Sequence, residues 1–193
     1  EVPEKVRRVQ ELVLKRSKVR MVRGSKKELF KYAPGLFDVV NETYKDFYGV
    51  VELTEEQAQT YTKQYFGFIN MDYVRIIIDE NDKVVGFGVI MPSLSRALQK
   101  SRGRLFPFGF ARLLWALKHP KTIDFLLIAV LPEYQPKGLV STIMTEITAN
   151  AIKNGVVTAE TNRELETNTA VQSMWKVYDH RQHKRRRAFI KDI

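Results

Sequence analysis

Ile128-Ala129-Val130-Leu131-Pro132-Glu133-Tyr134-Gln135-Pro136-Lys137-Gly138-Leu139-Val140 reads as a buried strand, a tight turn and the start of a helix. Residues 123–131 are almost continuously apolar, the pattern of a strand covered on both faces. The helix is expected over residues 139–153 and stops at Asn154-Gly155, a common C-terminal cap. The first amides of such a helix have no partner within it and lie at the positive end of its dipole, so they attract an anion. Lys137 adds a charge there, and Gly138 lets the backbone approach a bulky phosphate. Pro136 withholds one donor amide. A pyrophosphate is the natural occupant, held by Lys137, Gly138, Leu139, Val140 and Ser141.

Upstream, Val2, Val6, Val9 and Val13 recur at helical spacing, which predicts a helix over residues 2–17 with its valine stripe packed on protein. That protein is either this domain or a preceding half. Alternation over residues 18–23 predicts a short strand. Ser25 with Glu28, and Thr54 with Gln57, have the spacing of capping boxes. The first opens a helix interrupted at Pro34-Gly35 and resumed through Leu36, Val39, Val40 and Tyr44; the second opens one running to about residue 69. Residues 73–78 and 84–91 are β-branched runs joined by residues 79–83, a hairpin. An insertion at about 93–121 is expected to hold helical pieces over 95–100 and 109–118. Downstream, a strand (156–161), a helix (166–178) and a last strand (185–191) complete the chain. Hairpins followed by crossover units predict an α/β domain over residues 18–193, a mixed and mostly antiparallel central sheet with helices on both faces.

The 193 residues, 44% of them hydrophobic, suit one such domain. The chain begins at Glu1 rather than Met and is not assumed to be a whole protein. The absence of cysteine excludes disulfides, thiolate zinc sites and cysteine nucleophiles. His119, His180 and His183 have no ligand spacing, so no metal site is expected. The most apolar stretch, 105–117, is interrupted by Arg112 and too short for a bilayer span of about 20 residues. With no secretory signal visible, the expectation is a cytoplasmic protein without a membrane. The formal charge of +10 favours anionic partners. Nucleic acid is not expected, since no aromatic-rich basic strand pattern accompanies the charge.

The turn resembles the hallmark of the GNAT acyltransferase superfamily: Gln or Arg, two residues, Gly, one residue, then Gly or Ala. Gln135 and Gly138 match, and Val140 departs. Met91-Pro92-Ser93-Leu94-Ser95, the Gly103–Phe110 stretch and Gln182-His183-Lys184-Arg185-Arg186-Arg187 resemble a bacterial family with two GNAT-like halves, this chain being similar to the second. The resemblance implies acetyl-CoA, or another acyl-CoA, as co-substrate and a small-molecule amine as acceptor. It also implies a preceding GNAT-like half as partner and a splayed parallel strand pair. Ile128, Ala129 and Val130 would hold the thioester carbonyl, Gln135 would belong to the phosphate turn, and Asn168 would contact pantetheine.

The resemblance places the acid for the leaving thiolate at Trp175, whose N–H cannot serve near neutral pH. Tyr178, three residues on, is the substitute candidate, and its other reading is a core residue. Glu160, near the end of its strand, is the candidate base; its other reading is a carboxylate paired with a basic residue. Asp124 stands at the wrong end of its strand. The 183–187 basic run would contact an anion or guard a sheet edge. Phe106, Phe108, Phe110 and Trp115 would line an acyl or acceptor pocket, or form a small core within the insertion. A non-catalytic GNAT-like ligand-binding or domain-interaction module is the alternative function.

Overall fold

A computed structural model describes residues 4–22, 25–65, 69–187, 189 and 191, with the side chain of residue 177 outside the description. It divides into two compact units, Glu1–Glu160 and Thr161–Ile193. The first holds α1 (Glu4–Arg16), β1 (Val19–Val22), α2 (Lys26–Phe30), α3 (Ala33–Tyr44) and α4 (Glu55–Tyr65). There follow β2 (Val74–Asp79), β3 (Val84–Pro92), α5 (Ser95–Lys100), α6 (Gly109–Lys118), β4 (Thr122–Val130), α7 (Leu139–Lys153) and β5 (Thr158–Thr161), whose last residue opens the second unit. The strands form one sheet in the order β1-β2-β3-β4-β5. The first four pair antiparallel, and β4 and β5 lie parallel.

Both predicted capping boxes form. Ser25 and Glu28 bond reciprocally at the start of α2, as do Thr54 and Gln57 before α4. Asp79 closes the β2–β3 turn by accepting from the amides of Asn81 and Lys83, each at 2.9 Å. β3 is the central strand and is buried along nearly its whole length. Its register with β2 slips at Val85, so Val84 and Gly88 face opposite sides of the sheet. Gly35 of α3 lies against Val84, while Ile143 and Ile147 of α7 lie against Gly88. The two helices therefore cover opposite faces. Leu139, Ile143 and Ile147 are essentially inaccessible, and burying each contributes roughly 1.5–3 kcal/mol.

Several expectations are refined or corrected. Of the valine stripe of α1, this domain covers Val13 and leaves Val6 and Val9 exposed, so of the two expected packing surfaces only a preceding half would cover them; Val2 lies outside the described residues. The buried face of α1 instead carries Gln10, whose Nε2 donates to the Thr142 carbonyl at 3.2 Å. β4 is mostly half-buried rather than covered on both faces, because β5 has only four residues, all exposed, to set beside it. In the second unit the helix predicted over 166–178 contracts to α8 (Thr169–Met174) and a 3-10 turn, Trp175–Val177. Residues 185–187, 189 and 191 carry no strand; residues 188 and 190 lie outside the described set. Arg185 and Arg187 reach Glu166 at 3.8 and 3.4 Å instead. Among the described residues no helix is long and apolar enough to cross a membrane.

The close contact of α7 with β3 yields a stability test. A Cβ added at Gly88 would stand 2.5 Å from Ile143 Cγ2 and 2.9 Å from Ile147 Cδ1. Gly88→Ala should therefore lower the unfolding free energy by about 1–3 kcal/mol, the usual range for overpacking. Urea denaturation measures it, and an unchanged midpoint would contradict this packing.

Candidate functional site

The site is built from the end of β4, the turn after it and the first residues of α7. Leu131 extends the ladder by donating to the Val85 carbonyl at 2.9 Å. Pro132 then starts a 3-10 turn, Pro132–Lys137, rather than a simple tight turn. Gly138 ends it at φ +79°, and nothing lies within 4 Å of where its Cβ would be. That left-handed conformation favours glycine, and the space beside it is open. α7 begins at once with no side chain capping its N-terminus and no acidic residue in its first turn. The amide of Thr142 is spent on the Gly138 carbonyl at 3.2 Å, which leaves Leu139, Val140 and Ser141 as the helix's uncapped donors. Lys137 Nζ lies 4.0 Å above the Tyr134 ring, close in sequence to these donors. A positive helix end and a cation in one turn make an anion site.

The register of β4 decides which of its amides are available to a ligand. Leu131 and Val85 are a hydrogen-bonded pair, and Ala129 opposite Phe87 shares that phase. The Ala129 amide therefore points into the ladder, and those of Ile128 and Val130 point away from β3. Two side chains fix the same orientation independently. Tyr44 at the end of α3 donates its hydroxyl to the Ile128 carbonyl at 2.8 Å. Gln135 Nε2 donates to the Val130 carbonyl at 3.0 Å, so its side chain braces the strand end rather than reaching forward into the turn. Register between β3 and β4 slips at Leu126, which has no opposite residue between Phe125 and Leu127. This bulge lies just before the outward-facing amides. Neither the bulge nor Tyr44 was identified from sequence, since each depends on a strand or helix distant along the chain.

β5 runs beside the other end of β4. Val157 and Thr158 donate to the Lys121 carbonyl at 3.0 and 3.2 Å, and the Thr122 and Thr158 hydroxyls lie 2.8 Å apart. Glu160 consequently stands by Asp124, whose carboxyl is pushed up mainly by burial and further by the Glu160 charge, against a lowering bond from Ser93. Asp124 is four residues from Ile128, roughly 13 Å of strand. Glu160 is thus near the end of β5 yet beside the start of β4.

The other sequence candidates lie in the second unit. Asn168 is the N-cap of α8, its side chain accepting from the Val171 amide, so it does not sit on a helix face as expected. Trp175 Nε1 donates to Glu164 Oε1 at 2.6 Å. The Tyr178 ring lies 6.4 Å from that of Trp175 and is partly exposed, not core. In the first unit, a cleft of about 330 Å³ beside Leu131 and Val84 is lined by Asp38, Glu42 and Glu133 with Lys83. Its excess of carboxylates makes it unsuited to phosphate.

Tyr44 gives a test of the strand-edge geometry. Burial raises its phenol above the ordinary tyrosine value, and the bond its hydroxyl donates to the Ile128 carbonyl favours the same neutral form. The folded state favours the neutral hydroxyl, so this contribution is intact below about pH 10 and is lost as pH climbs through the raised value. Tyr44→Phe should cost about 0.5–1.5 kcal/mol at neutral pH, and its deficit relative to the wild type should shrink in strongly alkaline buffer. Denaturation at both pH values measures it.

The sequence profile of the acetyltransferase (GNAT) family matches residues 37–179. Protein YghO of Escherichia coli K12 is 28% identical over 164 residues, covering 82% of this chain and 42% of that protein. The bacterial ceramide synthase of Caulobacter vibrioides is 29% identical over 83 residues, 43% of this chain and 21% of that protein. The chain thus spans less than half the length of these curated relatives. Among solved structures, the aminoglycoside 6'-N-acetyltransferase AAC(6')-Ih from Acinetobacter baumannii aligns with a TM-score of 0.53 at 13% identity, over 91% of this chain and 99% of that one. An integron cassette protein from Vibrio cholerae aligns with a TM-score of 0.53 at 18% identity, over 91% and 94%. With the profile matching well over half of its length and the fold agreeing, the chain belongs to the acetyltransferase (GNAT) family.

Proposed function

We propose that the chain transfers an acyl group from acetyl-CoA, or a longer acyl-CoA, to an amine by direct attack. The observation that carries this is the uncapped N-terminus of α7, set directly after a strand whose Ile128 and Val130 amides face away from their neighbour. The amides of Leu139, Val140 and Ser141, with Lys137, would hold the pyrophosphate. The outward amides of Ile128 and Val130 would hold the thioester carbonyl and the negative charge that gathers on its oxygen; Ala129 contributes its side chain and position, not its amide. Bound acyl-CoA supplies an activated acyl group, whose C–S bond breaks as the amine nitrogen forms the new C–N bond.

Catalysis would rest mainly on this positioning, because one oriented oxyanion donor is worth about 2.7–4 kcal/mol elsewhere. Glu160 remains the candidate base. From beside Asp124, Glu160 would act through water on a proton released near Ile128. Ligand recognition in related proteins supports the reading: aminoglycoside N-acetyltransferase AAC(6')-Iy has been solved with CoA, and diaminobutyrate acetyltransferase EctA from Paenibacillus lautus with its substrate and coenzyme A. A ceramide is itself an N-acylated amine, so the name of the Caulobacter relative falls within the same reaction class. A preceding GNAT-like half, as the lengths of the curated relatives accommodate, belongs to this proposal. The alternative is a module that binds CoA without turnover. It is favoured by Trp175, whose N–H donor is committed to Glu164.

Acetyl-CoA at about 100 times its dissociation constant should stabilise the chain by roughly 2.7 kcal/mol. Lys137→Glu should weaken binding about tenfold or more, the equivalent of one charge-assisted hydrogen bond, and leave the unliganded melting temperature unchanged. Calorimetry showing no binding at millimolar acetyl-CoA would refute acyl transfer. Binding without turnover on any amine would select the alternative. If turnover is found, Trp175→Phe should keep it within a few-fold; abolished turnover with folding and affinity intact would show Trp175 to be essential.

A further inference from the structure

The insertion between β3 and β4 does not bury its aromatic residues. Phe106, Phe108 and Trp115 are 81%, 69% and 64% exposed, and Leu105, Phe110 and Leu114 are exposed with them. The reading of a small core within the insertion requires burial and is corrected by this. α6 turns Gly109, Leu113, Ala116 and Leu117 inward or halfway inward and presents Phe110, Leu114, Trp115 and Lys118 on its outer face. The loop is held in this posture by its own backbone. Phe110 donates to the Leu105 carbonyl at 2.7 Å and Gly103 to that of Leu98 at 3.0 Å. Arg112 Nη1 donates to the Lys100 carbonyl at 2.8 Å, and any side chain at Gly109 would overlap the Arg104 carbonyl. A folded domain seldom displays this many large apolar side chains on one hairpin without a use for them.

The charge around them is of one sign. No acidic residue occurs between Asp82 and Asp124, and Arg102, Arg104, Arg112 and Lys118 stand exposed among the aromatics. We infer that the α5–α6 hairpin is a membrane-surface anchor, which seats Leu105, Phe106, Phe108, Phe110, Leu114 and Trp115 at the acyl–headgroup boundary of a bilayer containing anionic lipid. Aromatic rings settle at that boundary, and flanking arginines and lysines meet the phosphates above it. A second copy of this chain fits the patch poorly, since it would bring the same positive charge against it. Single-stranded nucleic acid would use the rings and the charges but has no use for the exposed leucines. That no helix among the described residues is long and apolar enough to cross a membrane is compatible with this inference, because a segment lying in the surface needs no span. The inference is independent of acyl transfer.

The test is co-sedimentation of the chain with phosphatidylcholine vesicles, with and without phosphatidylglycerol. Binding is expected to the mixed vesicles, to fall with added salt, and to be weak on phosphatidylcholine alone. In a Trp175→Phe background, Trp115 is the remaining tryptophan of two, and its emission should shift to shorter wavelength on binding. Phe106→Ser with Phe108→Ser should lower partitioning at least about tenfold, as removal of two inserted rings requires, with an unchanged melting temperature. No vesicle binding overturns the inference, as does binding undiminished in the double variant. So does a wild-type dimer, or a complex with single-stranded DNA, that the double variant loses while vesicles are ignored.

Discussion

Gly88 leaves a gap on β3, and Ile143 and Ile147 of α7 fill it. That contact, with Leu139 sealed beneath it, fixes where α7 begins and therefore where its uncapped amides lie. Three buried aliphatic anchors and a strand without a Cβ hold the helix close to the sheet. The 3-10 turn then has only six residues in which to bring the chain from β4 to that fixed start. Lys137 and Gly138 are delivered to the helix end as a consequence. At the other side of the same short connection, Gln135 locks the Val130 carbonyl and Tyr44 locks that of Ile128. Polar groups of the strand edge are thus divided, the carbonyls occupied by side chains and the amides of alternate residues directed outward.

This division explains what could be read from the sequence and what could not. The turn, the hairpin, both capping boxes and the bounds of α5, α6 and α7 are local matters, settled by residues within a few positions of each other. Gln135 and Gly138 could be picked out, but the target of Gln135 could not, because it is a backbone group made available by strand register. Tyr44 reads as one more apolar helix position until its partner 84 residues away is known. The bulge at Leu126 likewise exists only relative to β3. In α1 the valines gave a convincing stripe, yet the helix docks through Gln10, whose amide finds the Thr142 carbonyl. The last expected strand failed for a related reason: Arg185 and Arg187 find Glu166 within their own unit.

The first unit also has a polarity along β4. Its carboxyl end meets an anion site, and its amino end meets Asp124, Glu160 and the exposed hairpin of the insertion. A thioester laid along the strand edge, phosphates at α7, would point its acyl end toward the bulge and the insertion. The two proposals therefore place a charged cofactor and an apolar surface at opposite ends of a single strand, nine residues long.

The central claim is that CoA phosphates lie on the α7 N-terminus and the thioester arm on the outward amides of β4. The most direct measurement is an amide-resolved NMR titration with CoA. Saturable shifts are expected at Leu139, Val140, Ser141, Ile128 and Val130, with Ala129 less affected because its amide is engaged with β3. Shifts confined to the second unit or to the basic hairpin, with those five amides unmoved at saturation, would contradict it.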